Sequence, residues 1–243
     1  MIRWKKPQPA SIPEFSRLKR RRLQEIRTGR PAASAQEVDV GLPRCPWAHG
    51  KRLFGSRGRD YDTAYMAFHD QEWGQSVIRD DNRYLMECLA MSIARSPTEV
   101  RDNFLNRKDI YRYALKNWDA DEVSKITEKD IESMSELGFK SKHRIRALIK
   151  NIQLFDEICK AQPDGRFLTY LEKFPGQRGP RDQSNCSVST KVAELIAKDL
   201  ADRGFKSIRE KTVHRFLCMI GFIDDHDWAC WKHRRNPEKE TDD

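Results

Sequence analysis

From Cys45 onward the apolar residues of this chain recur at helical spacing with little interruption, and no stretch alternates apolar and polar residues as a half-buried strand would. That property restricts the fold class to all-α. After Asp81, the residues Leu85, Met86, Cys88, Leu89 and Met91 form one apolar face, and the helix they define is expected to stop near Arg95. Ser96-Pro97-Thr98-Glu99 then supplies an N-cap, a proline suited to the first helical position and a capping-box glutamate, so a new helix is expected from Pro97. Further helices are predicted around 107–117, 120–126, 128–137, 141–161, 189–203 and 209–220, with Gly204 and Gly221 just past two of the ends. The stretch 175–185, rich in Gly, Pro, Arg and Gln, is the clearest internal loop. No period of about 20 to 50 residues repeats, which argues against a solenoid.

Charge divides the chain further. Residues 1–44 hold eleven Lys or Arg against four Asp or Glu, so +7 of the formal +9 lies in the first fifth of the sequence. This part also carries Pro7, Pro9, Pro13, Pro31 and Pro43 and the run Lys19-Arg20-Arg21-Arg22. It reads as a largely disordered basic extension with one short helix near 14–27, either a solvated tail or an electrostatic arm for a DNA backbone, with a targeting signal as a lesser reading. We divide the chain into this extension, a helical domain over 45–235 and a charged tail over 236–243. At 243 residues and 38% hydrophobic content the chain is long enough to bury a sizeable core. No window approaches the roughly 20 apolar residues of a membrane helix, and the start is charged where a signal peptide would be apolar. The expectation is a protein of the cytoplasm, neither secreted nor membrane-bound. Six scattered cysteines, at 45, 88, 159, 186, 218 and 230, then favour free thiols over a disulfide framework.

His226 and Cys230 stand four apart, which brings an imidazole and a thiol to one side of a helix or tight turn. A tetrahedral zinc site needs two more donors, and Cys45 and His69 offer them at the other end of the domain. Such a closed site would act as a staple between the two ends of the fold. Spacing alone leaves the alternative open that the cysteines are small buried residues and the histidines surface groups, and His49 and His233 are rival ligands.

Four blocks then occur in order: Arg44-Cys45-Pro46-Trp47, the run from Tyr65 through His69 to Trp73-Gly74, Arg203-Gly204-Phe205-Lys206, and Gly221-Phe222-Ile223-Asp224-Asp225-His226 followed by Cys230. Over about residues 44–235 they closely resemble the DNA-3-methyladenine glycosylase I family. The resemblance implies a helical bundle of the helix-hairpin-helix glycosylase superfamily, a structural zinc held by Cys45, His69, His226 and Cys230, and base-excision repair of alkylation damage in double-stranded DNA by a monomer. It also implies base flipping, since chemistry on a stacked base is sterically blocked. Trp47, Tyr65, Phe68 and Trp73 fall on base-pocket or near-pocket positions, although each also suits plain core packing. For DNA contacts it points to Gly138, Lys140, Ser141, Lys142 and Arg144, at the family's helix-hairpin-helix position, where a turn glycine and a helix N-terminus meet phosphate. An ordinary interhelical turn is the competing reading, because the stretch is one residue short and lacks a second glycine.

The chain also departs from the family. Aligning on Leu85 and Glu87 puts Ser92 where the carboxylate that recognises the alkylated adenine belongs and Val100 where a pocket tryptophan belongs. Glu87 matches a different family glutamate, Glu99 is explained as a capping residue, Phe68 replaces a usual tyrosine, and Cys218 stands where glutamine is usual. Residues 50–60 read as an inserted basic loop. No catalytic residue can be named. The expected function is a monofunctional N-glycosylase of reduced or redirected activity, against the alternative of a zinc-stabilised DNA-binding pseudoenzyme.

Overall fold

The structure is a computed structural model that describes residues 41–49, 63–74, 81–93, 104–137, 139, 141–175, 179–180 and 190–233. Its centre is a helix whose residues from Tyr84 to Ser92 are all buried (α2, Asn82–Ser92), following α1 (Thr63–Gln71). The Asp81 side chain starts α2 by accepting from the backbone N–H groups of Arg83 and Tyr84 at 2.9 and 3.3 Å, satisfying two donors that a helix start leaves unpaired. The helix ends at Ser92, short of the predicted Arg95, while the expected second start at Pro97 lies outside the described residues.

Three short helices follow: α3 (Lys108–Ala114), α4 (Ala120–Val123) and α5 (Glu128–Ser133). The expected helix over 107–117 breaks early because Lys116, Asn117 and Trp118 form a left-handed turn, with φ of 50°, 53° and 61°. Such angles strain non-glycine residues. What offsets the strain is Trp118, whose buried indole N–H donates to Glu87 on α2 at 2.9 Å. The Glu87 carboxylate also accepts from Arg112 at 2.7 and 2.9 Å. Glu87 is thus a fully bonded structural group, which periodicity alone does not reveal.

The longest helix, α6 (Lys142–Lys160), buries Ile145, Leu148, Ile152, Phe155 and Cys159 along one stripe, the three-to-four spacing that faces a helix to a core. It packs against α2, α4, α5 and the short α7 (Phe167–Leu171), where Phe155 stacks on Phe167 at 3.9 Å. Helices α8 (Lys191–Asp202) and α9 (Glu210–Met219) pair with each other, and α9 lies against α2. Gly204 and Gly221 sit just past their ends at φ of 95° and 67°, as the sequence predicts. The architecture is almost wholly helical. Among the described residues the exception is one two-residue parallel bridge between β1 (Gly179–Pro180), inside the expected loop, and β2 (Ile223–Asp224). Two residues are too few to leave an alternating signal. No helix among the described residues is long and apolar enough to cross a membrane.

Candidate metal centre and base pocket

The segment before the short 3-10 turn Pro46–His49, the end of α1 and the segment after β2 converge. The Trp231 N–H donates to the Pro43 carbonyl at 2.7 Å, which joins the two ends of the described chain directly. Lys232 donates to the carbonyls of His69, Asp70 and Trp73 at 2.9, 3.3 and 2.8 Å, a cation placed on the carbonyl groups that the end of α1 leaves open. Arg44 is buried and grips Asp70 with three hydrogen bonds of 2.6 to 3.0 Å. The arginine at the end of the expected extension is therefore part of the folded body.

Inside this junction the donor atoms of Cys45, His69, His226 and Cys230 all lie within 4.8 Å of one another. Cys45 Sγ is 3.4 Å from His226 Nδ1, and Cys230 Sγ is 3.3 Å from His69 Nε2 and 3.6 Å from His226 Nδ1. A tetrahedral zinc with Zn–S about 2.3 Å and Zn–N about 2.0 Å holds sulfur and nitrogen roughly 3.5 Å apart, so the donor set fits such an ion. The second ring nitrogen of His69 is bound to Asp70 at 2.9 Å, which fixes the ring with Nε2 inward. Backbone N–H groups of Asp227 and Lys232 point at the two sulfurs, at 3.2 and 3.4 Å. Without a cation the two thiols diverge: the hydrogen bond from Cys45 draws Cys230 down despite burial, while Cys45 is pushed up by the same contact and by burial. A bound divalent metal would favour the thiolate form of both. His233 is buried against Trp228 and is not among the four.

Glycine is required beside this cluster. At Gly74, with φ of 72°, an added Cβ would lie 2.9 Å from His226 Nε2. At Gly221 it would lie 2.6 Å from the Gly74 carbonyl oxygen. The Gly74 N–H donates to the Met219 carbonyl at 2.9 Å, so the turn after α1 and the end of α9 meet backbone to backbone.

The four aromatic residues singled out by the sequence do meet. Trp47 lies 4.7 Å from Trp73, 6.1 Å from Tyr65 and 6.4 Å from Phe68, between ring centroids, and Phe68 is 5.9 Å from Trp73. Trp47 also contacts His69 at 5.4 Å, so the ring cluster and the donor cluster share a wall. Trp47 and Tyr65 are half-buried, whereas Phe68 and Trp73 are buried. The Trp73 indole N–H is buried without an acceptor among the described residues. A buried donor left unmade costs about 1 to 3 kcal/mol, which a ligand acceptor would recover.

Ser92 does not face this cluster through any hydrogen bond among the described residues. Its hydroxyl donates back to the Leu89 carbonyl at 2.7 Å, and its own carbonyl accepts from Arg215 on α9 at 3.2 Å. Burial lowers the pKa of the Arg215 guanidinium, whose surroundings include Tyr65 and Cys218. Sequence reasoning missed Arg215 because nothing in its spacing separates it from a solvated helix charge. The nearby carboxylates are engaged: Glu72 pairs with Lys108, whose ammonium lies 5.6 Å from the Phe68 ring, and Glu87 is bonded as described above. Glu99 and Val100 lie outside the described residues. A cleft of about 290 Å³ opens elsewhere, lined by Asn82, Met86, Trp118, Asp119, Phe155 and Cys159 among others, and shares no residue with the ring cluster.

Of the expected DNA contacts, Gly138 and Lys140 lie outside the described residues. Ser141 caps α6, its hydroxyl accepting from the Arg144 N–H at 3.3 Å. Lys142 and Arg144 are exposed, with Lys142 paired to Glu132 at 3.4 Å.

The sequence profile of the methyladenine glycosylases matches residues 59–233, almost three quarters of the chain. The chain belongs to the methyladenine glycosylase family. Its relatives include the DNA-3-methyladenine glycosylase of Haemophilus influenzae, 25% identical over 75% of this chain and 94% of that protein. DNA-3-methyladenine glycosylase 1 of Escherichia coli is 24% identical over 78% of this chain and 96% of that one. Among solved structures, a 3-methyladenine DNA glycosylase I superposes with a TM-score of 0.62 at 25% identity, covering 78% of this chain and 99% of the other. The profile match begins after Cys45 and Trp47, so the geometry, independently of it, is what joins those two residues to the rest.

Proposed function

We propose that this protein is a base-excision repair glycosylase that turns an alkylated base out of double-stranded DNA and hydrolyses its N-glycosidic bond, with 3-methyladenine or a related cationic base as substrate. The observation that carries the reading is the packing of Trp47 on Trp73 beside a buried indole N–H that lacks an acceptor among the described residues. Rings so placed can take a flipped base by stacking, worth roughly 1 to 3 kcal/mol per base, and the indole can donate to a ring nitrogen. An N3-alkylated adenine carries positive charge and departs as a neutral molecule: the glycosidic electron pair goes to the base, C1′ takes a hydroxyl from water, and the proton that water gives up goes to solvent. Little acid catalysis is required. Ser92 in place of a carboxylate gives up a charge-assisted contact of roughly 1.5 to 3 kcal/mol, so we place the protein at the slow or redirected end of the family.

In this reading Cys45, His69, His226 and Cys230 hold a structural zinc, whose contribution when bound is a cross-link between the ends of the domain. The Asp70 carboxylate orients His69 for it, and Lys232 holds the end of α1 in place. Ser141, Lys142 and Arg144 at the start of α6, with Gly138 and Lys140, would meet phosphate, and the basic extension would add to that attraction. The protein would act as a monomer at the nucleoid, within the cytoplasm. A second reading, a DNA-binding pseudoenzyme, is favoured by one observation: both the hydroxyl and the carbonyl of Ser92 are already engaged, by Leu89 and Arg215.

The test is chromatographic analysis of free bases after excess protein is mixed with methylated duplex DNA, beside a heat-denatured blank. We expect 3-methyladenine above blank. A salt-dependent complex that leaves no abasic product would overturn the first reading in favour of the second.

A further inference from the structure

A second group of residues able to ligate a metal lies outside the four-donor cluster. His214 and Cys218 stand four apart on α9, and their donor atoms, with a carboxylate oxygen of Asp225, all lie within 4.8 Å of one another. His214 Nε2 and Cys218 Sγ are 3.6 Å apart, the separation found within the four-donor cluster and close to the roughly 3.5 Å that a shared tetrahedral ion requires. The set is held by the fold. His214 and Cys218 are buried, and Asp225 is delivered by the turn at Gly221 and by β2, on the residue before His226. One short segment thus supplies a donor to each cluster.

We propose that His214, Cys218 and Asp225 form a second site for a divalent transition metal. One thiolate, one imidazole and one carboxylate make a borderline donor set that suits zinc better than magnesium or calcium, which prefer oxygen alone. Three protein donors leave a fourth position for water, unlike the closed four-donor cluster. The location gives the site its interest: Cys218 is close enough to Arg215 to act on its charge, and Arg215 reaches the Ser92 carbonyl. An ion here would border the part of the pocket where the chain departs from its family. The plain alternative is a thiol hydrogen-bonded to a histidine, which has the same distance and no affinity for metal.

The experiment is titration of the metal-stripped full-length protein with Co²⁺ and Zn²⁺, following thiolate-to-cobalt charge-transfer absorption and bound metal per chain. The proposal requires about two ions per wild-type chain, one bound with two thiolates and one with a single thiolate. Cys218→Ser and, as a milder change at the half-buried donor, Asp225→Asn should each remove the single-thiolate signal and about one equivalent of metal. Cys230→Ala should remove the other and spare this one, which separates failure of this site from failure of the four-donor reading. Absence of a single-thiolate cobalt signal from the wild-type protein, or its persistence unchanged in both Cys218→Ser and Asp225→Asn, would overturn the proposal. Neither readout depends on base release.

Discussion

The four-donor cluster and the end of α2 at Ser92 lie in one molecule, and the contacts around them are built very differently. At the cluster, both cysteines and both histidines are present, and the groups around them support the arrangement: Asp70 holds His69, Arg44 holds Asp70, and Lys232 closes the end of α1. In the proposed reading Ser92 stands where a recognition carboxylate would be, and its hydroxyl turns back on its own helix. The difference follows from what each region must do. A cluster joining three chain segments fails if any donor is lost, because the remaining groups are left buried and unpaired. In the proposed reading Ser92 belongs to the base pocket, where one polar group can replace another and still pack, so specificity can change without unfolding the domain.

The comparison is broken most severely at the cluster. If the cluster holds the proposed zinc, Cys230→Ala should lose that metal and lower Tm by roughly 10 °C or more, measured by metal analysis and thermal melting, since the cross-link between the chain ends would go with it. Gly74→Ala should come next, at roughly 1 to 3 kcal/mol or about 2 to 10 °C in Tm, because it combines a left-handed backbone with a clash against His226. Far from both regions, Asp199 accepts from Tyr170 at 2.8 Å and from Arg203 at 2.6 Å. Burial raises its pKa, the two bonds lower it by more, and the result lies below the usual carboxylate range. A depressed pKa gives stability that is present above the unfolded value and lost as pH falls through the folded one. Asp199→Asn should therefore cost less than about 1 kcal/mol near neutral pH, as the side chain is only partly buried, and progressively less as pH falls below the usual carboxylate range, as read from denaturant melts at neutral and at acid pH.

How much of this was legible in the sequence differs in the same way between the two regions. Cysteine and histidine are few, so four of them in family blocks point to one place, and the geometry brings all four together. The glycine ends of α8 and α9 were legible because left-handed backbone strongly favours glycine. The left-handed turn at Lys116–Trp118 was not, because ordinary residues adopt it only under tertiary constraint, here the bond from Trp118 to Glu87. Asp70 and Arg215 were missed for a related reason. Each acts through another residue, and charged side chains are too common on helices for spacing to single out two of them.

The central proposal is that a serine rather than a carboxylate at position 92 sets the rate, and its most direct test is single-turnover release of 3-methyladenine by the wild-type protein and by Ser92→Glu. If a charge-assisted contact of roughly 1.5 to 3 kcal/mol is what the pocket lacks, Ser92→Glu should release the base about 10- to 150-fold faster. Equal rates for two folded, metal-loaded proteins would contradict the account and place the control of the chemistry elsewhere in the pocket.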